Sequence, residues 1–514
     1  MHRITPHQPL PLFDSAATGR IERAAAAALP AHQLMQRAGL AVAQLAQALA
    51  PYARTVWLAC GPGNNGGDGL EAAMHLQRNG RQAVVTWLGQ PDKAPADARA
   101  SWLRAQAAGV QWADRAPDRL SSCDLCIDAL LGLGVSASSS RAMDPAHAMN
   151  APARAIDPRL RACLSMLRHS LAPVLAVDLP SGLDADTGQY APGLAPDPGP
   201  PPGPARYTLS LLSLKPGLFT AAGRDAAGQL WFDDLGVAPG PEPPSAWLSG
   251  PALAAPRAHA SHKGSYGDVA VVGGEGLAER GLGMTGAALL AASAALHSGA
   301  GRVLVALLDD GQLPLDPQQP ELMLRRFEAL ALERLTVVCG CGGGQAVGQR
   351  LPEVITRAAR LVLDADALNH IAGHAALQAL VLARGQQGRP TVLTPHPLEA
   401  ARLLGLSTAQ VQADRLGAAR QLAARFAAVA VLKGSGSVIA APGQTPAINP
   451  TGNALLASAG TGDVLAGMVG ARLAAGASPL NAACDAVYAH GRAADAWPAG
   501  QALTAGELAR RLGR

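Results

Sequence analysis

Two glycine-rich strings in this 514-residue chain carry the residue types that phosphoryl and proton transfer require. The sharper is Gly460-Thr461-Gly462-Asp463-Val464-Leu465-Ala466-Gly467, at the predicted start of a helix. Backbone N–H groups of such a turn, with the helix dipole behind them, stabilise charge developing on a transferred phosphoryl group. An Asp among them stands ready to take the proton of an attacking hydroxyl. The bland alternative is an Asp that only caps a helix after a glycine turn. Companions lie nearby in the same half. Lys433-Gly434-Ser435-Gly436-Ser437 ends a strand and suits a nucleotide phosphate, and His262 to Gly267 (HKGSYG) precedes a strand. Gly283 to Ala288 opens a helix with small residues that let a ligand approach the backbone. In Thr394-Pro395-His396-Pro397 the His is either a ligand contact or a plain turn residue.

The other string, Gly61-Pro-Gly63-Asn64-Asn65-Gly66-Gly67-Asp68-Gly69, follows a strand and opens a helix. Its spacing satisfies GxGxxG, which brings a pyrophosphate to a helix N-terminus. The acidic residue that should end the next strand is missing, since AVVTWLGQ closes on Gly and Gln, and no Walker lysine is present. A hydride-transfer dinucleotide site is therefore disfavoured. What the turn offers is side-chain oxygen: Asn64, Asn65 and Asp68. Asp128 and the Asp178 to Ser181 run add more at later strand ends, and in a parallel sheet such ends converge on one crevice. Oxygens gathered there could hold a hard cation. Alternatively Ser181, Gly182 and Asp184 cap helices and close turns.

The elements that must position these residues are legible as alternation. An Ala-rich amphipathic helix is predicted over Arg20–Ala50. The apolar runs RTVWLAC, QAVVTWLG, CDLCIDALLG, PVLAVDLP, YTLSLLSL and QLWFDDLG follow, separated by helical stretches. A Pro-rich connector spans Gly236 to Pro256, with a boundary near residue 245. DVAVVGG, RVLVALL, LTVVCG, RLVLDAD, PTVLTP and AVAVLKG then resume the pattern, and two long helices begin near Asp463 and Pro479. Such runs predict parallel strands in doubly wound sheets. Ser136 to Pro158 and Tyr190 to Arg206 read as insertions without packed structure.

Bulk properties narrow the class. A net charge of +4 with no basic stripe argues against nucleic acid, and no stretch approaches a membrane span. The opening MHRITPHQPLPLFDSAATGR lacks the layout of a signal peptide. Seven scattered cysteines suit a reducing compartment, so a cytoplasmic protein is expected. Cys123 and Cys126 form a CxxC with no second pair; buried strand cysteines are expected, a metal or redox role being the alternative. Only four lysines occur, Lys93, Lys215, Lys263 and Lys433, against 42 basic residues in all. A Lys kept in so Arg-biased a chain marks a place where a planar guanidinium would not fit, and two of the four fall in the strings above.

GPGNNGGDGL, the DALLGLG turn, VDLPSGLDADTG and LLSLKPGLFT together resemble the NAD(P)H-hydrate epimerase family over residues 10–240. That resemblance implies that Asn65, Asp128 and Ser181 are potassium ligands. It also makes Asn64, Asn65, Gly66, Gly67, Asp68, the turn Gly132-Leu133-Gly134-Val135-Ser136-Ala137-Ser138 and Asp178 substrate-contacting positions. After Gly134 the chain departs from the family, whose connector there is short and contains an Arg. The set HKGSYGDVAVVGG, GMTGAALLAASAALHSGAGRV, PELM, LDADALN, LTPHPLE, LKGSGSV and AGTGDVLAG resembles the ADP/ATP-dependent NAD(P)H-hydrate dehydratases over residues 255–512. It implies substrate positions at Ala287, Gly344, His396 and Asp463, and nucleotide positions at Lys433, Gly434, Ser435, Gly436, Ser437 and Gly462. The family's GPG turn is replaced by Gly340-Cys341-Gly342-Gly343-Gly344.

The resemblances imply an α/β protein: a doubly wound Rossmann-like epimerase domain over 1–240, a Pro-rich linker over 241–256, and a ribokinase-like dehydratase domain over 257–514. The substrates would be hydrated NADH and NADPH, with K+ in the first half and Mg2+ with ADP or ATP in the second. A homo-oligomer is the expected assembly. In the first half Asp178 would handle the proton while Lys215 or a backbone turn supports the charge. In the second, Asp463 would act as base while the hydrate's hydroxyl is phosphorylated and then expelled as phosphate. One rival is a ribokinase-like kinase of a small alcohol with an accessory nucleotide-binding N-terminal domain. The other is a non-catalytic scaffold.

Overall fold

The computed structural model describes residues 1–137, 156–197, 205–252, 258–278, 280–309, 311 and 313–512. Ser138 and parts of both sequence insertions lie outside the described residues. The chain divides into two compact units, 1–5 with 11–245 and 6–10 with 246–514.

In the first unit an eight-stranded sheet is built from β1 (His2–Arg3), β2 (Thr55–Cys60), β3 (Gln82–Trp87), β4 (Gln111–Trp112), β5 (Leu125–Ala129), β6 (Val174–Val177), β7 (Arg206–Leu211) and β8 (Gln229–Asp233). Their order is β1-β8-β7-β6-β5-β2-β3-β4, parallel throughout except where β1 meets β8. The order reverses between β2 and β5, the switch point of a Rossmann-like sheet, where a crevice opens beyond the C-terminal strand ends. The helix predicted over Arg20–Ala50 is two helices, α1 (Ser15–Ala28) and α2 (Gln33–Leu49). Pro30 explains the break: it lacks an amide hydrogen and drives the preceding residue out of helical geometry. Leu29 is indeed extended, at φ −106° and ψ 156°. α3 (Asn64–Arg78) springs from the NNGGDG string. A side chain at Gly66 would collide with the Gly61 carbonyl, so that string can close its turn only with glycine there. Cys126 is buried in β5, whereas Cys123 is exposed before the strand begins, so the CxxC is not a pair of buried strand cysteines.

The second unit contains β9 (Ala246–Leu248), β10 (Asp268–Glu275), β11 (Arg302–Leu308), β12 (Met323–Leu324), β13 (Thr336–Cys339), β14 (Arg360–Leu363), β15 (Thr391–Leu393), β16 (Val429–Leu432), β17 (Val438–Ala440) and β18 (Ala447–Ile448). They lie in the order β12-β11-β10-β13-β14-β15-β16-β17-β18-β9. From β12 to β16 all pairs are parallel, and β17 runs against both its neighbours. β9 falls inside the Pro-rich stretch 241–256: Ala246 and Leu248 are buried, and the strand pairs in parallel with β18. Its residues alternate between buried and exposed and sit between Pro244 and Pro251, so the prolines bound a strand there. Around the sheet lie α6 (Thr285–His297), α7 (Ala365–Gly373), α8 (Pro397–Leu404), α9 (Arg415–Phe426), α10 (Thr461–Ala474), α11 (Pro479–Asp495) and α12 (Ala505–Arg511), numbered after α4 (Ala96–Ala107) and α5 (Pro158–His169) of the first unit. With few aromatics available, this core is Ala, Val and Leu, and α6 presents buried Ala288, Ala291, Ala292, Ala294 and Ala295 to its neighbours. Among the described residues no helix is long and apolar enough to cross a membrane.

Candidate active sites

In the first unit a cavity of about 550 Å³ opens at the switch point. The sequence-predicted residues Asn64, Asn65, Asp68, Gly132, Leu133, Gly134, Val135 and Asp178 line it, together with Lys215. Gly66 and Gly67 are buried in the first turn of α3 behind that wall. Asp178 follows β6 with a left-handed backbone, φ +67°, rare for a residue other than glycine. Its Oδ1 accepts from Leu211 N at 3.0 Å and from the ammonium of Lys215. Lys215 is fully buried and also donates to the Leu211 carbonyl at 2.8 Å. Strained backbone held by a buried ion pair fixes the carboxylate at the cavity wall.

Behind that wall Asp128 and Ser181 form a second polar group. Ser181 Oγ donates to Asp128 Oδ1 at 2.5 Å, and Ser181 N donates to Oδ2 at 2.9 Å. Burial pushes the Asp128 carboxyl up, against the lowering effect of these bonds. Asn65 lies alongside Gly132, and its Nδ2 is buried with no hydrogen-bond partner among the described residues. Asp184, by contrast, closes turns: it accepts from Asp186 N, Thr187 N and Ala137 N at 2.8–3.0 Å. The last of these ties the Gly132–Ala137 turn to the loop after β6.

Glu22 is a cavity residue that sequence reasoning missed. It lies on α1 and lines the cavity, and burial, then Asp178, push its carboxyl up. Burial, then Asp178 and Glu22, do the same to Asp68, well above the usual carboxylate range. The only signal was one Glu on an Ala-rich amphipathic run, which reads as a solvated face.

In the second unit, the strand ends converge on the N-terminus of α10. Lys433, after β16, donates to Asp364 Oδ1 at 2.8 Å, and Thr394 Oγ1 donates to the same oxygen at 2.8 Å. A side chain at Gly462 would stand 3.3 Å from Lys433 Nζ, so the ammonium lies against the first turn of α10. Burial pulls Lys433 down, but Asp364 and Glu399 outweigh it and hold the ammonium above its usual range. Gly434 begins the glycine-serine loop at φ +136°, and the buried Arg415 of α9 donates to the carbonyls of Leu432 and Lys433 to fix it. Ser437 Oγ donates back to the Gly434 carbonyl at 3.2 Å.

Asp463 is pushed up to about 7 by burial and then by Asp364. Its carboxylate oxygen, a carboxylate oxygen of Asp364 and the Cys341 sulfur all lie within 4.8 Å of one another. Ala287 borders the Gly342 turn, and Gly344 N donates to Asp366 Oδ2 at 2.8 Å. His396 is half-exposed and caps α8, its Nδ1 accepting from Leu398 N and Glu399 N. Burial, then Lys433, hold its pKa down. His490 of α11, buried beside Thr461, is held down to about 4 by burial and is therefore neutral at ordinary pH. Lys263 lies apart from this group, in a short 3-10 turn before β10. Asp364 was legible by the strand-end rule that finds Asp128 and Asp178, since it closes RLVLDAD.

Known proteins match the two halves of the chain separately and the chain as a whole. Residues 31–217 match the model of the YjeF-related protein N-terminus, and residues 271–514 match that of NAD(P)H-hydrate dehydratase. The bifunctional NAD(P)H-hydrate repair enzyme Nnr of Escherichia coli is 36% identical, covering 94% of this chain and 88% of that protein. The ADP-dependent (S)-NAD(P)H-hydrate dehydratase of Neisseria meningitidis is 44% identical over 49% of this chain and 84% of its own length. A Bacillus subtilis ADP/ATP-dependent NAD(P)H-hydrate dehydratase, crystallised with ATP and Mg2+, is 33% identical over 49% of this chain and 90% of its own, with a TM-score of 0.41. With each half matched by one family model and nearly the whole chain by the E. coli protein, this chain belongs to the family of bifunctional NAD(P)H-hydrate repair enzymes.

Proposed function

We propose that the chain repairs hydrated NADH and NADPH, its first unit interconverting the R and S hydrates and its second dehydrating the S form at the expense of ADP or ATP. The observation that carries this reading is one chain holding both sites: the Asp178–Lys215 cavity and the Asp463–Lys433 cluster. The hydrate bears a hydroxyl on the carbon beside the ring nitrogen, whose lone pair can expel it. In the first unit the proton shared between the Lys215 ammonium and Asp178 would pass through Asp178 to the departing oxygen, and Asp178 would later take a proton from water returning to the other face and so restore the pair. In the second, Asp463 would take the hydroxyl proton as that oxygen bonds to the terminal phosphorus and the bond to the nucleotide breaks. Lys433 and the amides at Gly462 would neutralise the phosphates. Phosphate is a far better leaving group than hydroxide. The ring nitrogen then expels it, and loss of a proton from the adjacent carbon restores the dihydropyridine.

Asn65, Asp128 and Ser181 would hold potassium. The fit rests on adjacent carboxylate and hydroxyl oxygens and on an Asn65 Nδ2 that is buried with no hydrogen-bond partner among the described residues. Turning that amide over would present an oxygen. A bound cation would supply fixed positive charge near the cavity. The Cys341, Asp364 and Asp463 group is a poor cage for magnesium, because one donor is a thiol and Lys433 already engages Asp364. Magnesium would be held by the nucleotide phosphates. Every cysteine is unpaired, which supports a cytoplasmic setting. Recovery of reduced-nicotinamide absorbance from a mixture of both hydrate epimers tests the reading. Complete recovery that requires ADP or ATP is expected. A stable phosphate ester of a different alcohol, with no recovery, would establish the kinase alternative instead.

A further inference from the structure

Cys341 is fully buried in a turn that leaves its side chain little choice of direction. Gly340 and Gly342, on either side, have φ +119° and +57°. The turn is fastened by Gly340 N to Val272 O at 3.0 Å, Gly274 N to Cys341 O at 3.0 Å and Glu275 N to Gly342 O at 2.7 Å. Pinned in this way, the side chain lies at the first turn of α10, where its sulfur is within 4.8 Å of carboxylate oxygens of both Asp364 and Asp463. The two carboxylates differ in their partners. Asp364 Oδ1 has Thr394 and Lys433 at 2.8 Å each, whereas the Asp463 carboxylate has the Cys341 sulfur within 4.8 Å. Burial, and then the two carboxylates, push Cys341 well above the usual thiol range, so it stays S–H and can donate.

We propose that Cys341 is a positioning residue of the dehydratase site: its S–H donates to Asp463, aims that carboxylate at the hydroxyl and favours its ionised form. The inference rests on Asp463 acting as the base. Other charges facing Asp463 come from Asp364, Asp366 and Lys433, with Glu399 beyond the ammonium. Among the helices packed on α10, α6 carries only His297, in its last turn, and α11 brings the neutral His490 to Thr461. The charged residues of α12 are Glu507, Arg510 and Arg511. Of all these groups, only the thiol is a neutral donor to the carboxylate, so removing it weakens the ionised form without removing a charge.

The test is the pH profile of kcat for dehydration at saturating nucleotide, in Cys341→Ala, Cys341→Ser and Asp463→Asn. Without the thiol, the acidic limb should move up by about one pH unit, with kcat about tenfold lower below the limb. At high pH the Ala variant should return towards the parent rate. Ser keeps a donor of nearly the same shape and should hold the limb at or below its parent position. An Ala profile that superimposes on the parent's would overturn the proposal, and so would a Ser profile displaced as far as that of Ala. Asp463→Asn separates the two levels of inference. If it still dehydrates, the base has been misassigned; if it is dead while the Ala limb stays put, only the role of Cys341 fails.

Discussion

Asp463 and Asp178 are carboxylates at the N-terminal side of a helix and after a strand, yet their surroundings set them apart. Asp178 is paired directly with a buried ammonium. Asp463 is not: Lys433 bonds to Asp364 instead, and burial with that second carboxylate pushes Asp463 up to about 7. A base must be ionised to act. Dehydration should therefore fall as pH drops through about 7, because Asp463 then binds a proton and can no longer accept the substrate's. A kcat profile for dehydration, measured between mildly acidic and mildly alkaline pH, should show one acidic limb near that value. A flat profile would mean that another group takes the proton or that a step other than proton transfer limits the rate. Lysine rather than arginine at both sites fits the same logic. A compact ammonium enters a fully buried pocket at 215 and lies against a glycine at 462, where a planar fork would not.

The elements that carry these residues pack closely because their contact faces are nearly free of side chains. α10 crosses α6 with Gly467 against the backbone of Ala291, where any added Cβ would strike the carbonyl. Gly467→Val should force the two helices apart and destabilise the second unit by about 1–3 kcal/mol. Thermal unfolding should show a lower midpoint, and dehydration should weaken because α10 also supplies Asp463; an unchanged midpoint would show that the crossing is slack. How legible such elements are depends on what defines them. Parallel strands are continuous apolar runs, so every predicted strand from RTVWLAC to AVAVLKG appears in the sheets, and strand ends locate Asp128 and Asp178 without further help. Strands of only two residues, such as β4, β12 and β18, carry too little pattern to be seen. The break at Pro30 is local and was readable, but the Ala-rich periodicity on both sides outweighs a single residue in a window. Glu22 reaches the cavity through packing between distant segments, which no local pattern encodes.

At the scale of the molecule, each unit has its own mainly parallel sheet, its own reversal of strand order and its own candidate proton-transfer residue. Winding the same way twice does not make the sites alike, because the ligand chemistry lies in the loops at the strand ends. Chemistry that needs no residue from the other unit should survive damage there. Asp178→Asn should abolish epimerisation and leave dehydration of the S hydrate intact; Asp463→Asn should do the reverse. Each variant alone should then fail on a mixture of epimers in its own way: the first stops with the R hydrate unconsumed, and the second recovers nothing. Mixed together, the two proteins should restore complete, nucleotide-dependent recovery, since the S hydrate made by one can diffuse to the other. Chiral separation of the remaining hydrate, followed alongside absorbance, distinguishes the cases. A mixture that stalls with R hydrate in hand would mean that epimerisation in one unit depends on an intact partner site in the same chain, and the two active sites would have to be treated as one machine.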